Sequence, residues 1–427
     1  MSAAARIPAP PVRRGACPSL AAPMPTGDGL LVRLRPRAPG LSPAQWRTIA
    51  RLARQHGNGL IEVTARGNLQ VRGLTAASAP EFSAGLAGIV LRSGTAIEIP
   101  PLAGLDSAET ADPRPLAEAI EAAIAAERLT LAPKIAIVVD GGGLLSLADM
   151  VADIRLDAVP GGWRVSIAGD ASSARPIATH DVAGTVETVL TLLRRLAALG
   201  PAARGRDLPA TPTDESTAFA KPVAPIGTIA IGDGHVLGLG LPYGQVHADR
   251  LEALIADLER LGARDIRLAP HRALLILGLG EALAAAKDAA EAHGFHTDPT
   301  APTVSACAGS NGCASARFDT HAVAAALLEA APALFDGGTE VHVSGCTKGC
   351  AHPAPADLTL AGTDGGIGLV FSGRASDAPL AVTDDPAAAF SRLDALLRRE
   401  RAVGETLPSL LARLGKGAFE AAIQGKA

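Results

Sequence analysis

Two stretches of this chain repeat one order of apolar and polar positions. In the first, LLVRLRP reads as a strand and leads into a segment whose apolar residues Trp46, Ile49, Ala50 and Ala53 fall at helical spacing. Two short runs, LIEVTA and LQVRGL, follow as strands. In the second stretch HVLGLGLP leads into Leu251, Leu254, Ile255, Leu258 and Leu261 at the same spacing, then into DIRLA and ALLILGL. Residues 27–74 align without a gap on residues 232–279 at a constant offset of 205. Only nine of the 48 positions are identical, so the order of elements carries the duplication more than identity does. Gly27-Asp28-Gly29 falls on Gly232-Asp233-Gly234, and Gly73-Leu74 on Gly278-Leu279. Each copy is a βαββ module. Ser42 followed by Pro43 predicts a cap and first turn, and Gly57 and Gly262 stand where a left-handed residue would end each helix. A module alone exposes unpaired strand edges, which predicts that the copies pair into one pseudo-twofold sheet.

An α/β segment follows each module. The first shows a helix near residues 115–128, a strand in KIAIVVD, a turn at Gly141-Gly142-Gly143, a strand in WRVSIAG and a helix in VAGTVETVLTLLRRLAALG. After a Pro-, Ala- and Thr-rich stretch the order repeats, with strands in TEVHVSG, LTLAG and IGLVF and a helical region from about Asp385. The fold class is therefore α+β: duplicated ferredoxin-like βαββ half-modules pairing into one domain, each followed by an α/β domain. The expected boundaries are an N-terminal arm at 1–21, repeat one at 22–78, the first α/β domain at 79–200, a linker at 201–226, repeat two at 227–282, and the second α/β domain at 283–427.

Composition narrows the function classes. At 427 residues and 48% hydrophobic there is ample surface to bury, yet Gly, Arg or Asp interrupts every apolar run before the roughly 18 residues of a membrane span. The basic, Pro-rich N-terminus lacks the apolar core of a secretory signal, so a cytoplasmic enzyme is expected. A net charge of −4 with one Tyr and two Trp offers neither the basic field nor the aromatic platforms of a nucleic-acid binder. No Gly-x-Gly-x-x-Gly joins a strand to a helix, so NADH would act through a partner reductase or external donor.

The chemistry lies in cysteine spacing. Four of the five cysteines form two tight pairs, Cys307 with Cys313 in CAGSNGC and Cys346 with Cys350 in SGCTKGC. Closely spaced thiols in a reducing compartment hold metal more often than disulfides, and four soft sulfurs suit an iron–sulfur cluster or a zinc ion. Structural zinc usually shows two to four residues between paired cysteines, which Cys-x5-Cys exceeds. Gly309, Gly312, Gly345 and Gly349 would let backbone N–H groups approach the sulfurs. Cys17 stands apart.

With repeat and cysteines placed, the chain resembles the siroheme-dependent nitrite and sulfite reductase superfamily over nearly its full length. Within it, the strings RRGACPSLAAPM, GDGLLVRLRP, PLAGLD, VVDGGGLLSLADMVADIRLDA, SACAGSNGCASA and VHVSGCTKGCAHPAPADLTLAG resemble the precorrin-3B synthase family of aerobic cobalamin biosynthesis. The resemblance implies a 4Fe-4S cluster on Cys307, Cys313, Cys346 and Cys350. It implies a tetrapyrrole pocket whose carboxylate partners would include Arg33 and Arg35, two apart on one face of a strand, and Arg66, Asn68 and Gln70 in TARGNLQ. Lys134 matches the first of two active-site lysines of the reductases, and with Arg66 and His352 makes the candidate catalytic set. His271 and Arg272, the counterparts of Arg66 and Gly67, read as structural; Cys17 reads as a small buried residue of the N-terminal arm, and its place in RRGACP leaves a position near substrate as the alternative.

Departures from the reductase pattern redirect the chemistry. The second lysine falls at Ala136 and the Arg–Asn pair at about Thr95 and Ala96. Sulfite reduction needs such cations, so the resemblance implies oxygenation of precorrin-3A in a pocket given to substrate in place of siroheme. Electrons would reach the cluster, a mononuclear iron with His352 in CAHP as a candidate ligand would activate O2, and one oxygen would enter at C20 with closure of a γ-lactone. The alternatives are a siroheme-dependent ferredoxin nitrite or sulfite reductase and a zinc-binding scaffold.

Overall fold

The structure is a computed structural model that describes residues 18–209, 223–336 and 338–426; Cys17 lies outside them. Two compact units emerge: Leu30–Leu241 with Val246–Pro299, and Thr300–Ala427 with Thr26–Gly29 and Pro242–Gln245. No helix among the described residues is long and apolar enough to cross a membrane.

Both modules form as the pattern predicts. The first helix, Pro43–His56, opens with a capping box in which Ser42 Oγ accepts from the Gln45 N–H at 3.3 Å and Gln45 Oε1 accepts from the Ser42 N–H at 3.0 Å. Its end differs from expectation. Gly57 is extended (φ −117°), and glycine is needed there for space, because a Cβ would lie 2.4 Å from the Arg72 carbonyl oxygen; Gly262 does take a positive φ of +100°.

The copies join by reciprocal exchange of edges between two sheets, not as one sheet. The first sheet runs Met24–Thr26, Gly29–Leu34, Leu69–Leu74, Leu60–Val63, Gln245–His247; the second runs Gly227–Ile231, Gly234–Gly240, Ala273–Leu277, Asp265–Ala269. Leu41, just before the first helix, bridges Ile266 through N–H to O bonds of 3.0 and 2.9 Å. Its counterpart at the offset of 205, Val246, sits in the strand that flanks Leu60–Val63, the strand of Ile61. Each copy thus covers one exposed edge of the other, which answers the edge problem. Helices Pro43–His56 and Ala248–Arg260 pack together, burying Trp46, Ile49, Leu254 and Ile255, and the Trp46 Nε1–H donates to the Ile266 carbonyl at 3.1 Å.

The duplication extends into the α/β segments. One sheet orders Ala96–Glu98, Ala136–Asp140, Ala152–Val159, Gly162–Gly169 and Arg175–His180, the first three parallel and the rest antiparallel. The other orders Val304–Ala306, Val341–Ser344, Ala356–Thr363, Gly366–Gly373 and Ala381–Thr383 with the same directions. In sheets with parallel strands, ligands collect at the carboxyl ends, where loops after the strands face outwards. In the first segment those loops carry PPLAGLD and the triple glycine; in the second they carry the two cysteine pairs.

A buried ion network fastens the triple-glycine loop. Arg155, fully buried, places Nη2 3.0 Å from Asp140 Oδ2 and 2.8 Å from Asp157 Oδ1, and its Nη1 donates to the Leu147 carbonyl at 2.8 Å. Asp140 also accepts from the Gly142 and Leu147 N–H groups and from Ser146 Oγ. Nearby, Glu109 Oε2 accepts from the Gly104 N–H at 2.8 Å, while its Oε1 is buried without a partner. Burial, above all, pushes the Glu109 carboxyl up to about 7, against the Gly104 bond that lowers it. A carboxyl whose folded pKa is raised binds more protons folded than unfolded. Its ionisation therefore erodes stability as pH rises from about 4.5 to about 7. Glu109→Gln is expected to flatten that decline, checked by urea midpoints of both proteins at about pH 5 and about pH 8; parallel declines would contradict it.

Candidate functional site

Parallel pairing of Val304–Ala306 with Val341–Ser344 brings both cysteine pairs to one end of the second sheet. Cys307 directly follows the first strand and its N–H donates to the Val343 carbonyl at 3.1 Å; Cys346 stands two residues past the second strand. The Gly345 N–H donates to Cys307 Sγ at 3.2 Å. Only glycine permits this approach, since a Cβ at residue 345 would lie 2.4 Å from the Ala316 Cβ. Lys348 Nζ donates to Ser315 Oγ at 3.1 Å and so ties one cysteine loop to the other.

Cys350 is exposed and the other three cysteines half-buried. Desolvation still pushes the Cys350 thiol up, and the charges of Cys346, Cys307 and Cys313 push it further, with Lys348 opposing. The four sulfurs therefore share one electrostatic neighbourhood, in which four thiolates repel until a cationic centre offsets them. Among the described residues no group of three or more Cys, His, Asp or Glu side chains is gathered closely enough to hold a metal ion. The donor set itself, four soft thiolates with a backbone N–H already donated to one sulfur, fits an iron–sulfur cluster.

Gly27 belongs to this site, although the sequence shows it only as the start of a repeat. Its carbonyl accepts from the Ala314 N–H at 3.1 Å, and a Cβ there would lie 2.6 Å from Cys313 Sγ. Gly27→Ala is expected to lower the iron and sulfide bound per chain, measured on anaerobically purified protein; full occupancy would show that the cysteine loop yields. His352 lies in the same unit, with Nδ1 3.5 Å from Glu340 Oε1 and Nε2 3.4 Å from the Pro355 carbonyl. Both ring nitrogens thus have protein partners, the arrangement of a structural histidine.

The first unit contains a cavity of about 130 Å3. It is lined by apolar residues such as Leu147, Met150 and Ile266 and by the cations Arg35, Arg37, Arg66 and Arg92, with Glu98 as an acid among them. Asn68 lines it as well. Arg66 Nη1 donates to the Val151 carbonyl at 2.8 Å, whereas its Nη2 is buried with no partner in the protein. Of the residues proposed to meet the tetrapyrrole, Arg35, Arg66 and Asn68 line this one cavity. Arg33 and Gln70 are not among the cavity residues. Strand register sets Arg33 beside Gln70 and Gln70 beside Glu62; with the Gln70 amide oriented to match, its oxygen accepts from Arg33 Nη2 at 2.8 Å and its nitrogen donates to Glu62 Oε2 at 2.9 Å. Lys134 stands in an exposed turn two residues before the strand Ala136–Asp140, so it begins no strand and lines no part of the cavity. His271, in the second copy, pairs with Asp149 at 3.1 Å.

Comparison with known proteins agrees with this architecture. Residues 22–89 match the nitrite/sulfite reductase ferredoxin-like half domain. The chain is 44% identical to a precorrin-3B synthase of Sinorhizobium sp. over 436 aligned positions, covering 97% of this chain and 95% of that one. It is 25% identical to the ferredoxin–nitrite reductase of Synechococcus elongatus, covering 79% and 77% of the two chains. Among solved structures it is similar in fold to the NirA protein of Mycobacterium tuberculosis, with a TM-score of 0.68 and 18% identity across 92% of this chain and 85% of that one. Duplicated half-modules, paired cysteine loops and near-full-length identity together establish that this chain belongs to the precorrin-3B synthase family, within the nitrite and sulfite reductase superfamily.

Proposed function

We propose that the protein is an O2-dependent monooxygenase that converts precorrin-3A to precorrin-3B. One atom of O2 enters the macrocycle at C20 while a ring A acetate closes a γ-lactone, and the other atom leaves as water with two electrons that originate from NADH through a partner donor. The observation that carries this reading is the 44% identity over nearly the whole length of a precorrin-3B synthase. A 4Fe-4S cluster held by Cys307, Cys313, Cys346 and Cys350 would supply single-electron transfer.

The remaining work falls to side chains. Arg66 and Arg35, with Asn68, would hold carboxylate arms of the macrocycle, because guanidinium forks match carboxylates two bonds at a time. The unpartnered Arg66 Nη2 supports this: a buried cationic donor without an acceptor is costly, and an arriving carboxylate relieves it. The apolar lining at Leu147, Met150 and Ile266 would shed water from the ring edge. Incubation of anaerobically prepared protein with precorrin-3A, reductant and isotopically heavy O2 tests the reading. A product carrying one heavy oxygen atom is expected. Turnover of nitrite or sulfite, with siroheme in the pigment extract, would replace it with the reductase reading.

A further inference from the structure

Arg37 and Arg92 line the same cavity as Arg66, and neither the sequence nor the proposed function gives them a role there. Two extended segments hold them. The Arg37 N–H donates to the Val90 carbonyl at 2.8 Å and the Arg92 N–H to the Arg35 carbonyl at 2.7 Å, around a bridge between Pro36 and Leu91. Behind them stands one carboxylate, Glu121 of the helix Arg114–Glu127. Its Oε1 takes Arg37 Nη2 at 3.0 Å and its Oε2 takes Arg92 Nη1 at 3.2 Å. Arg92 and Glu121 side chains are only 19% and 22% exposed, so their half of the pairing is largely shielded from water, whereas Arg37 is 53% exposed. Two guanidiniums thus share one anion, each oxygen already taken, and each cation keeps further N–H groups for another acceptor. With Arg35 and Arg66 there are four cations against Glu98 and Glu121, an excess of positive charge beside an apolar lining. At about 130 Å3 the cavity is well below the roughly 300–1,000 Å3 that encloses a drug-sized ligand, so it suits an acidic arm of a larger molecule and not the whole of it.

We propose that Arg37 and Arg92, positioned by Glu121, form a second carboxylate-binding fork in this cavity, which together with Arg66 grips the acidic arms along one edge of a polycarboxylate macrocycle. The proposal rests on the tetrapyrrole reading above and adds to it which edge of the pocket selects for the number of acid groups. Glu121 is a positioning residue here, acting through the two arginines.

Titration of the full-length, cluster-loaded protein with uroporphyrin, which carries eight carboxylates, and with coproporphyrin, which carries four, tests it by the change in porphyrin absorbance. The unaltered protein is expected to prefer uroporphyrin. Arg37→Gln and Arg92→Gln should each weaken uroporphyrin binding by about 10-fold, the scale of one charge-assisted hydrogen bond, with a smaller effect on coproporphyrin. Arg92→Lys, which keeps the charge but not the fork, should fall between, and the far-ultraviolet circular dichroism and the urea unfolding of the first unit should be little changed in all three, showing that they are folded. Variants that bind both porphyrins like the parent while Arg66→Gln does not would overturn the fork and leave the tetrapyrrole reading standing. A parent protein that binds neither porphyrin would overturn both.

Discussion

A Cys346→Ser protein is expected to emerge from anaerobic purification without the visible absorption of an iron–sulfur cluster and without measurable conversion of precorrin-3A. Serine keeps the size of the side chain but replaces a soft thiolate with a hydroxyl that stays protonated near neutral pH, so one of four ligands is lost. The remaining three are poorly placed to compensate. Cys350 carries a thiol already pushed up by burial and by its neighbours' charges, so without the metal centre it reverts to a neutral thiol. Losing outer partners of a metal site commonly lowers affinity or activity by roughly 10–100-fold, and loss of a ligand should exceed that. Iron and sulfide analysis beside an activity assay reads the outcome; a Cys346→Ser protein with a full cluster would remove this residue from the ligand set. Fold stability gives the control. The sheet that carries the cysteine loops, Val304–Ala306 to Ala381–Thr383, keeps its own core, with Leu327, Val343, Leu360, Phe390 and Leu393 buried, so the variant should retain its secondary structure.

Arg155→Met should destabilise the first unit by about 3–5 kcal/mol, the largest change expected from any single substitution outside the apolar cores. The guanidinium is fully buried between Asp140 and Asp157, and methionine leaves Asp140 buried without its cation and Asp157 with only the more distant Arg164, 3.6 Å away. Burial already pushes the Asp157 carboxyl up in the intact protein, against the lowering by Arg155. In the variant the Asp157 carboxyl, relieved of the lowering by Arg155, would be held further above its unfolded value, so its added penalty is fully present at neutral pH and fades as pH falls and it takes up a proton. Urea unfolding at about pH 7 and about pH 5 measures this; an equal loss at both would show that packing, not charge, dominates. The consequence reaches function because Arg155 also holds the Leu147 carbonyl, and Leu147 lines the arginine cavity. By contrast, Arg54 pairs with Asp249 and Glu252 at the surface, and its loss should leave stability little changed.

Much of this was legible in the sequence because it depends on spacing along the chain. The helical period of Trp46, Ile49 and Ala53, and its recurrence at Leu251 and Leu254, locate both modules, and the capping box follows from Ser42 and Gln45. The cysteine pairs are visible for the same reason, since each falls within one loop. What escaped depends on partners distant in sequence. Nothing local in Gly27 reveals that it lies against Cys313. Nor does alternation distinguish Arg33, which register commits to Gln70, from Arg35, which lies beyond the strand end at Leu34 and lines the cavity. Arg37 continues that spacing of two, but the backbone leaves the sheet there and only its pairing with residues 90–92 turns it to the cavity. The reciprocal edges at Leu41 and Val246 were hidden likewise: the edge problem predicts that the copies pair, and only the fold shows how.

The central claim is that the paired cysteine loops hold an electron-transfer cluster and that the protein's tetrapyrrole site serves substrate and not siroheme. Determination of iron, acid-labile sulfide and extractable pigment on anaerobically purified protein tests it most directly. The account predicts at least about four irons and about four sulfides per chain with no siroheme in the extract. Stoichiometric siroheme, or zinc in place of iron and sulfide, would contradict it.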